Sequence, residues 1–503
     1  MLFNSIEYIV FLPIVFAIYW LLRNHLKLQN AFVVLASYVF YGWWDYKFLL
    51  LIAFTSLCSY ASGILIAKSE ESRVESGESR VKRSKFWMVA NIVINLGILA
   101  VFKYYDFFVS EFGELFGVST ESLLLRVILP VGISFYTFQA LSYSIDVYRQ
   151  KIKPTKDIIA FFAFISFFPQ LVAGPIERAT NLLPQFLQKR TFSYEQGVDG
   201  MRQILWGLFK KIVVADNCAV YVNQVWETYD TQSGSTLLLA AILFTFQIYG
   251  DFSGYSDIAI GTAKLFGIRL MRNFNNPYFS RDIAEFWRRW HISLTSWFRD
   301  YVYIPLGGSR PTIDNRWIDN RWIDGRWIDG RWIDDRWTEG RKKLIIVRNV
   351  LIVFLICGLW HGANWTYLVW GLYNVLLFLP LILLGKSKRY KDAPLVWKQL
   401  PQMLLTFVLV TIGWIIFRAP SMAEAWGYVC AMCSASLFSQ PATIQYPVWC
   451  AMAAIILMLS LEWHYRDAES VPLPKSIWAY YPLIIAIWWF AYRNTQEFIY
   501  FQF

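Results

Sequence analysis

The stretch Asn349–Leu384, NVLIVFLICGLWHGANWTYLVWGLYNVLLFLPLILL, contains no Asp, Glu, Lys or Arg over 36 residues. A helix crossing a bilayer needs about 20 mostly apolar residues, so this stretch is long enough for two passes. Runs without such a charge recur at Tyr8–Leu22, Leu28–Trp44, Phe48–Ala67, Phe86–Phe102, Val127–Ile145, Ile158–Ile176, Thr231–Gly250, Gln402–Phe417, Ala425–Leu461 and Ser476–Tyr492. Together they read as about eleven to thirteen apolar segments, some re-entrant, of an all-α, polytopic integral membrane protein.

Composition points the same way. Of 503 residues 56% are hydrophobic and only 17% charged, against roughly 25% charged in a soluble domain. That excludes an ordinary cytosolic enzyme. The 19% aromatic content fits many membrane–water boundaries, where amphipathic rings settle. A formal charge of +11 would suggest nucleic acid in a soluble protein; here it is an orientation signal, and no nucleic-acid partner is expected. The positive charges of the loop Lys68–Lys85 outnumber its glutamates, which places that loop in the cytoplasm and, three passes back, the N-terminus outside. Tyr8–Leu22 has neither a basic leader nor a small-residue cleavage site and reads as a retained anchor. The expected organisation is one membrane domain over 1–503, interrupted by the charged loop 68–85 and an insertion at 312–340.

Six cysteines form no disulfide framework. Cys430 and Cys433 have C-x-x-C spacing but no second pair or nearby histidine, so they read as small buried helix residues. The four histidines, His25, His291, His361 and His464, are widely separated, which argues against a metal site. The G-x-S-x-G, H-E-x-x-H and G-x-x-x-x-G-K-[ST] signatures are absent, so serine-hydrolase, zincin and nucleotidase readings lose support.

Two histidines stand out. His361 lies about twelve residues, or ~18 Å of helix, beyond Asn349 and so near mid-membrane. An ionisable group at that depth faces a protein interior or a wet cavity and is a functional candidate. Gly358 and Gly362 beside it permit close backbone approach or a broken helix. His291 belongs to Arg281–Tyr301, where Ile283, Phe286, Trp287, Trp290, Leu294, Trp297, Phe298 and Tyr301 recur at three- and four-residue steps. That spacing predicts one amphipathic helix lying in an interface or lining a wet cavity. His25 and His464, beside charges at segment ends, read as interfacial. Asp251 and Asp257 must be paired, protonated or wet, Gly250-x-x-x-Gly254 invites tight helix packing, and Gly174-Pro175 marks a broken or re-entrant helix. From the residues alone, this is a wet passage lined by His361, His291 and carboxylates, serving either base-assisted acyl transfer or proton-coupled transport.

Longer strings separate these readings. YGDFSGYSDIAIG and NFNNPYFSRDIAEFWRRWHISLTSWFRDYVYIPLGG within Tyr249–Arg310, with PVGISFYTFQALSYSIDVYR (Pro130–Arg149), FFPQLVAGPIER (Phe167–Arg178) and GLWHGANWTYLVWG (Gly358–Gly371), closely resemble the membrane-bound O-acyltransferase family, nearest to its bacterial alginate O-acetyltransferase type. The resemblance implies a ring of tilted helices around a central funnel and a multi-pass enzyme of the bacterial inner membrane. It implies transfer of an acetyl group from a cytoplasmic thioester, acetyl-CoA, to an exported polysaccharide through an extracytoplasmic partner of the SGNH-hydrolase type. His361, in WHG, matches the family's catalytic histidine, and His291, in RRWHISL, a second motif histidine.

The chemistry agrees: a hydroxyl attacking a thioester needs a base near neutral pH and donors for the developing oxyanion. His361 is the expected base, with His291, Asn364 or N–H groups near Gly362 as stabilisers; direct transfer is preferred, with an acyl-histidine as the other route. The alternatives are D-alanyl transfer to teichoic acid, since related enzymes share the GPI and FWRRWH-like strings, and a transporter, which would show inverted repeats that are not evident here.

Two features depart from the family pattern: a duplicated ESRV near Ser69–Lys85, and a pentapeptide array of five RW repeats carrying Trp317, Trp322, Trp327, Trp332 and Trp337. A period of five matches neither helix nor strand, so the array reads as an expanded loop, and loop insertions cost little closure entropy. Deleting Thr312–Gly340 is therefore expected to leave acyl transfer at the wild-type level. Loss of transfer at a normal protein level would show that the array serves the reaction.

Overall fold

The computed structural model describes every residue except 72–76, 173, 309–338, 392, 443, 469–470, 475, 492–497 and 500–503. The described residues form helices, turns and loops and no strand. The pentapeptide array and almost all of the 312–340 insertion lie outside the described residues.

In chain order the helices are α1 (Ile6–Leu21), α2 (Leu26–Gly42), α3 (Leu49–Glu71), α4 (Gly77–Phe116), α5 (Ile133–Tyr148), α6 (Ile158–Ser166), α7 (Phe168–Leu171), α8 (Ala179–Phe186), α9 (Tyr194–Leu208), α10 (Asp216–Glu227), α11 (Gly234–Leu265), α12 (Ile283–Arg289), α13 (Ile292–Phe298), α14 (Glu339–His361), α15 (Trp365–Leu383), α16 (Leu400–Arg418), α17 (Met422–Met432), α18 (Tyr446–His464) and α19 (Tyr480–Ala491). They divide into two compact units, one of Met1–Ser193, Phe266–Leu270 and Trp297–Asn349, the other of Tyr194–Leu265, Met271–Ser296 and Val350–Phe503.

Among the described residues seven helices are long and apolar enough to cross a membrane: Tyr46–Glu71, Val81–Phe116, Gly234–Leu265, Lys343–His361, Trp365–Leu383, Trp397–Arg418 and Tyr446–His464. Ile6–Leu21 and Ile477–Ala491 are apolar but shorter. The number falls below the eleven to thirteen apolar runs because some runs are broken: Ile158–Ile176 divides into α6 and α7 at Phe167, and Ala425–Leu461 into the short α17 and α18. Large apolar side chains such as Leu50, Ile456 and Trp478 are 79%, 68% and 77% exposed, as expected where lipid rather than water covers the surface. The protein is a multi-pass membrane protein.

Three expectations change. Asn349–Leu384 does make two helices, but the first begins at Glu339, so His361 is its last residue rather than its middle. The basic residues upstream are good helix formers and carry the helix beyond the apolar run. For the same reason α3 and α4 extend into the charged segment 68–85 from both sides. Cys430 and Cys433 are exposed rather than buried, because α17 ends at Met432 and turns one side outward.

In the first unit α3 packs on α4 and α5. Gly63 lets Tyr143 of α5 approach: a Cβ there would sit 2.5 Å from the tyrosine ring. Buried Arg190 is held by Gln29 at 2.8 Å and Asn30 at 2.6 Å.

The second unit is built around α11, whose most apolar stretch is 83% buried, against 22% in the span within α4. Glycines set its contact with α9 and the π-helical turn Phe209–Ala215 that follows. A Cβ on Gly254 would lie 2.7 Å from the Gly207 carbonyl oxygen, and one on Gly261 would lie 2.5 Å from that of Gly200. The expected tight packing is therefore present. It brings charges together: Lys210 meets Asp257 at 2.5 Å, and Lys211 meets Asp251 at 2.8 Å and Asp216 at 2.9 Å. Both aspartates of α11 are thus paired, as burial of a charge requires.

Gly261→Leu should destabilise the protein by roughly 1–3 kcal/mol or more, since backbone has to move. Gly97→Leu, where nothing lies within 4 Å, should not. Thermal unfolding in detergent distinguishes them, and equal stability of the two variants would refute the packing argument.

Candidate active site

The two candidate histidines lie in the second unit, each at an interruption of helix. The Arg281–Tyr301 stretch is not one helix. Asp282 caps α12, its carboxylate accepting from the Glu285 N–H at 2.7 Å. The helix stops at Arg289, and His291 adopts a left-handed backbone with φ of 44°. α13 then restarts at Ile292. Such a conformation costs a non-glycine residue about 1–3 kcal/mol. Two backbone bridges hold it: the Asn275 N–H donates to the Arg289 carbonyl at 2.9 Å, and the Ile292 N–H to the Asn273 carbonyl at 2.8 Å.

Ile283, Phe286, Trp287, Trp290 and Leu294 are buried, and with them Arg281 and Glu285, while Arg288, Arg289 and Asp300 are half-buried and Arg299 is exposed. The Glu285 carboxylate, 1% exposed, accepts from Arg281 at 2.8 Å and Arg289 at 3.0 Å. Arg281 also donates to the Pro394 carbonyl at 2.7 Å and lies 4.2 Å over the Tyr390 ring. Pairing replaces water, which is how Arg281 and Glu285 are accommodated in the interior.

His291 is 0% exposed. Its Nδ1 is 3.1 Å from Asn273 Oδ1, which also accepts from the Ser293 hydroxyl at 2.9 Å and the Ser293 N–H at 3.3 Å. Asn273 Nδ2 donates to Ser256 Oγ of α11 at 2.9 Å. Phe252 stands edge-on to the imidazole at 4.6 Å. His291 lies outside the seven spans, and burial pulls its pKa down to about 3.

His361 is 6% exposed. Trp360, Trp370 and Phe417 surround it edge-on, at 4.9, 5.3 and 5.1 Å between ring centroids. α14 ends at His361 because the chain turns at Gly362-Ala363-Asn364, and the Asn364 carboxamide caps α15 by accepting from the Thr366 N–H at 2.9 Å. Gly358 admits the backbone of α15, where a Cβ would meet the Tyr367 carbonyl at 2.3 Å. Trp360 joins the two sites, lying 5.9 Å from His291 and 4.9 Å from His361.

The structure thus sets His291 and His361 against one indole. Asn364 also serves the backbone, one of its amide N–H groups donating to the Pro420 carbonyl at 2.8 Å. His25, just before α2, and His464, at the end of α18, are exposed. No group of three or more possible metal ligands occurs among the described residues. Sequence reasoning missed Asn273, Ser293 and Ser256, whose only signal was a polar residue inside each apolar motif. It also missed Glu462 of α18, 2% exposed, whose carboxylate accepts from the Tyr249 hydroxyl at 2.6 Å.

A many-spanning helical protein with two imidazoles in a mostly aromatic enclosure has the makings of a membrane enzyme that moves protons during group transfer. The profile of MBOAT, the membrane-bound O-acyltransferase family, matches residues 39–319. "Probable alginate O-acetylase AlgI" of Pseudomonas aeruginosa is 37% identical over 438 residues, 86% of this chain and 75% of that protein. "Peptidoglycan O-acetyltransferase" of Helicobacter pylori is 32% identical over 84% of this chain and 78% of its own length. "Teichoic acid D-alanyltransferase" of Bacillus subtilis is 28% identical over 57% of this chain and 68% of that protein. The chain belongs to the membrane-bound O-acyltransferase family and is an O-acyltransferase.

The depressed pKa of His291 makes stability depend on pH. The folded state resists protonation that the unfolded chain accepts near pH 6.5. Its contribution is therefore complete above pH 6.5 and falls away as pH drops toward 3. At pH 5 the loss should be about 2 kcal/mol relative to pH 7.5, and His291→Gln should lack this component. Unfolding of both proteins at the two pH values measures it; identical pH dependence would refute a buried neutral imidazole.

Proposed function

We propose that this chain is an O-acetyltransferase of a bacterial inner membrane, passing acetyl groups from a cytoplasmic thioester, acetyl-CoA, toward an exported cell-surface polysaccharide. An extracytoplasmic transferase of the SGNH-hydrolase type completes delivery. The observation that carries this reading is the arrangement of His361: a helix-terminal imidazole in an aromatic enclosure with a small open edge, in a chain that shares 37% identity over 86% of its length with a relative named as an alginate O-acetylase.

In the reaction the acceptor hydroxyl oxygen bonds to the thioester carbonyl carbon while His361 takes the hydroxyl proton. The C–S bond then breaks, and the leaving thiolate recovers that proton from His361. A general base of this kind is worth roughly 10²–10⁴ in rate. His291 is poorly matched to the base role, since a base works best with a pKa near the operating pH and burial holds this imidazole near 3. D-alanyl transfer is the weaker reading, because the D-alanyltransferase relative aligns with only 57% of the chain whereas those named for O-acetylation align with 84% or more.

His361→Ala, at a normal membrane level, should lower O-acetylation of the exported polymer by about 10²-fold or more, read by mass spectrometry of the polymer with and without the gene. Full acetylation in cells carrying His361→Ala would sink the assignment.

A further inference from the structure

The reaction above gives His361 a task and leaves His291 without one, although His291 is the more elaborately held of the two. Three polar residues from separate parts of the second unit converge on it: Ser256 from α11, Asn273 from the following loop and Ser293 from α13. The direction of each hydrogen bond follows from chemistry. The Ser293 backbone N–H can only donate, so the Asn273 atom facing it is the carbonyl oxygen Oδ1. The amide nitrogen then points to Ser256 Oγ. An amide oxygen can only accept, so the His291 Nδ1 beside it at 3.1 Å carries a hydrogen and donates. The Ser293 hydroxyl is 2.9 Å from Oδ1 but 3.4 Å from Nδ1, so it donates to the oxygen and does not compete for the imidazole.

A neutral imidazole with hydrogen on Nδ1 has a bare lone pair on Nε2. That atom is buried and has no hydrogen-bond partner among the described residues. It cannot donate to an oxyanion in this tautomer, which removes the stabilising role expected for His291 and leaves an accepting one.

We propose that Asn273 is a positioning residue that locks His291 as the Nδ1–H tautomer, so that Nε2 accepts a hydrogen bond from a non-reacting N–H or O–H of a substrate. The reacting hydroxyl has one proton, which goes to His361. The bond to Nε2 therefore comes either from an amide N–H of the thioester donor's pantetheine arm or from a neighbouring sugar hydroxyl of the acceptor. The substrate part of this proposal rests on the acetyl-transfer reading; the tautomer part does not.

The test uses the full chain labelled with ¹⁵N-histidine. With four histidines, nitrogen NMR and the spectrum of His291→Gln identify the His291 signals. At pH 7.5 the wild-type protein should show a protonated Nδ1 and an unprotonated Nε2. Asn273→Leu should move hydrogen to Nε2 and lower kcat about 10–100-fold, the usual cost of losing a residue that orients a histidine. Asn273→Asp should keep the hydrogen on Nδ1 and retain most activity, a rescue that a merely structural role would not give.

In His291→Gln a raised KM for acetyl-CoA assigns Nε2 to the donor amide, and a raised KM for polysaccharide assigns it to the sugar hydroxyl. A wild-type spectrum with hydrogen on Nε2 overturns the proposal even if every variant fails to fold. So does an Asn273→Leu protein with wild-type kcat and KM. If His361→Ala leaves acetylation intact while the wild-type tautomer is as described, the functional reading has failed and the positioning of His291 has not.

Discussion

A buried polar group in a membrane protein has no bulk water to fall back on, and the second unit is arranged around meeting that constraint at one strained turn. His291 adopts a left-handed backbone that an α-helix cannot continue through. The strain is tolerated because Asn273 and Asn275 bridge the backbone on both sides of the turn and the Asn273 side chain satisfies three donors at once. Removing the turn would make Arg281–Tyr301 the continuous amphipathic helix that its spacing suggests, with its imidazole on the border of the apolar stripe instead of inside the unit. The same rule governs the surroundings. Lys210 and Lys211 neutralise the aspartates of α11, Glu285 joins two arginines, and Tyr249 donates to Glu462.

This constraint explains what could be read from the sequence and what could not. Charge-free runs predicted the seven long apolar helices, because apolar length is all that a lipid-facing helix needs, but they passed over α9 and α10, whose sequences carry charges. The two passes within Asn349–Leu384 were legible for that reason, and the break between them was suggested by Gly358 and Gly362. The turn at His291 was not, since apolar residues recur at helical spacing on both sides of it and periodicity does not register a residue that leaves the helix between them. The place of His361 in its helix was misjudged because the charge-free run was taken for the helix. Helix propensity does not stop at a lysine, and α14 runs ten residues further toward its N-terminus.

The site was legible in part for a related reason. His361 could be singled out because ionisable groups are rare and costly inside apolar runs, and His291 because it belongs to the amphipathic spacing of Arg281–Tyr301. Their supports could not, since Asn273, Ser256 and Ser293 are ordinary residues whose meaning lies in which atoms face one another. Asn364 has a structural use that the sequence did not disclose. Its place beside His361 suggested a catalytic amide, but its oxygen caps α15 and its nitrogen holds the Pro420 carbonyl. An amide held at both ends by backbone groups fixes the turn that follows His361.

The near-complete enclosure of both imidazoles bears on which kind of acyl chemistry this site suits. A thioester held beside a general base is open to attack by water as well as by an alcohol, and a transferase has to favour the alcohol. Trp360, Trp370 and Phe417 stand near-perpendicular to the His361 ring and only 6% of His361 is exposed, so few waters can stand beside the imidazole proposed as the base. Exclusion of water also strengthens the hydrogen bonds that remain, because the local dielectric falls. A hydrolase would gain from a wet imidazole. The two roles proposed here, a base at His361 and an accepting Nε2 at His291, suit transfer to an alcohol that brings its own hydroxyl into the enclosure.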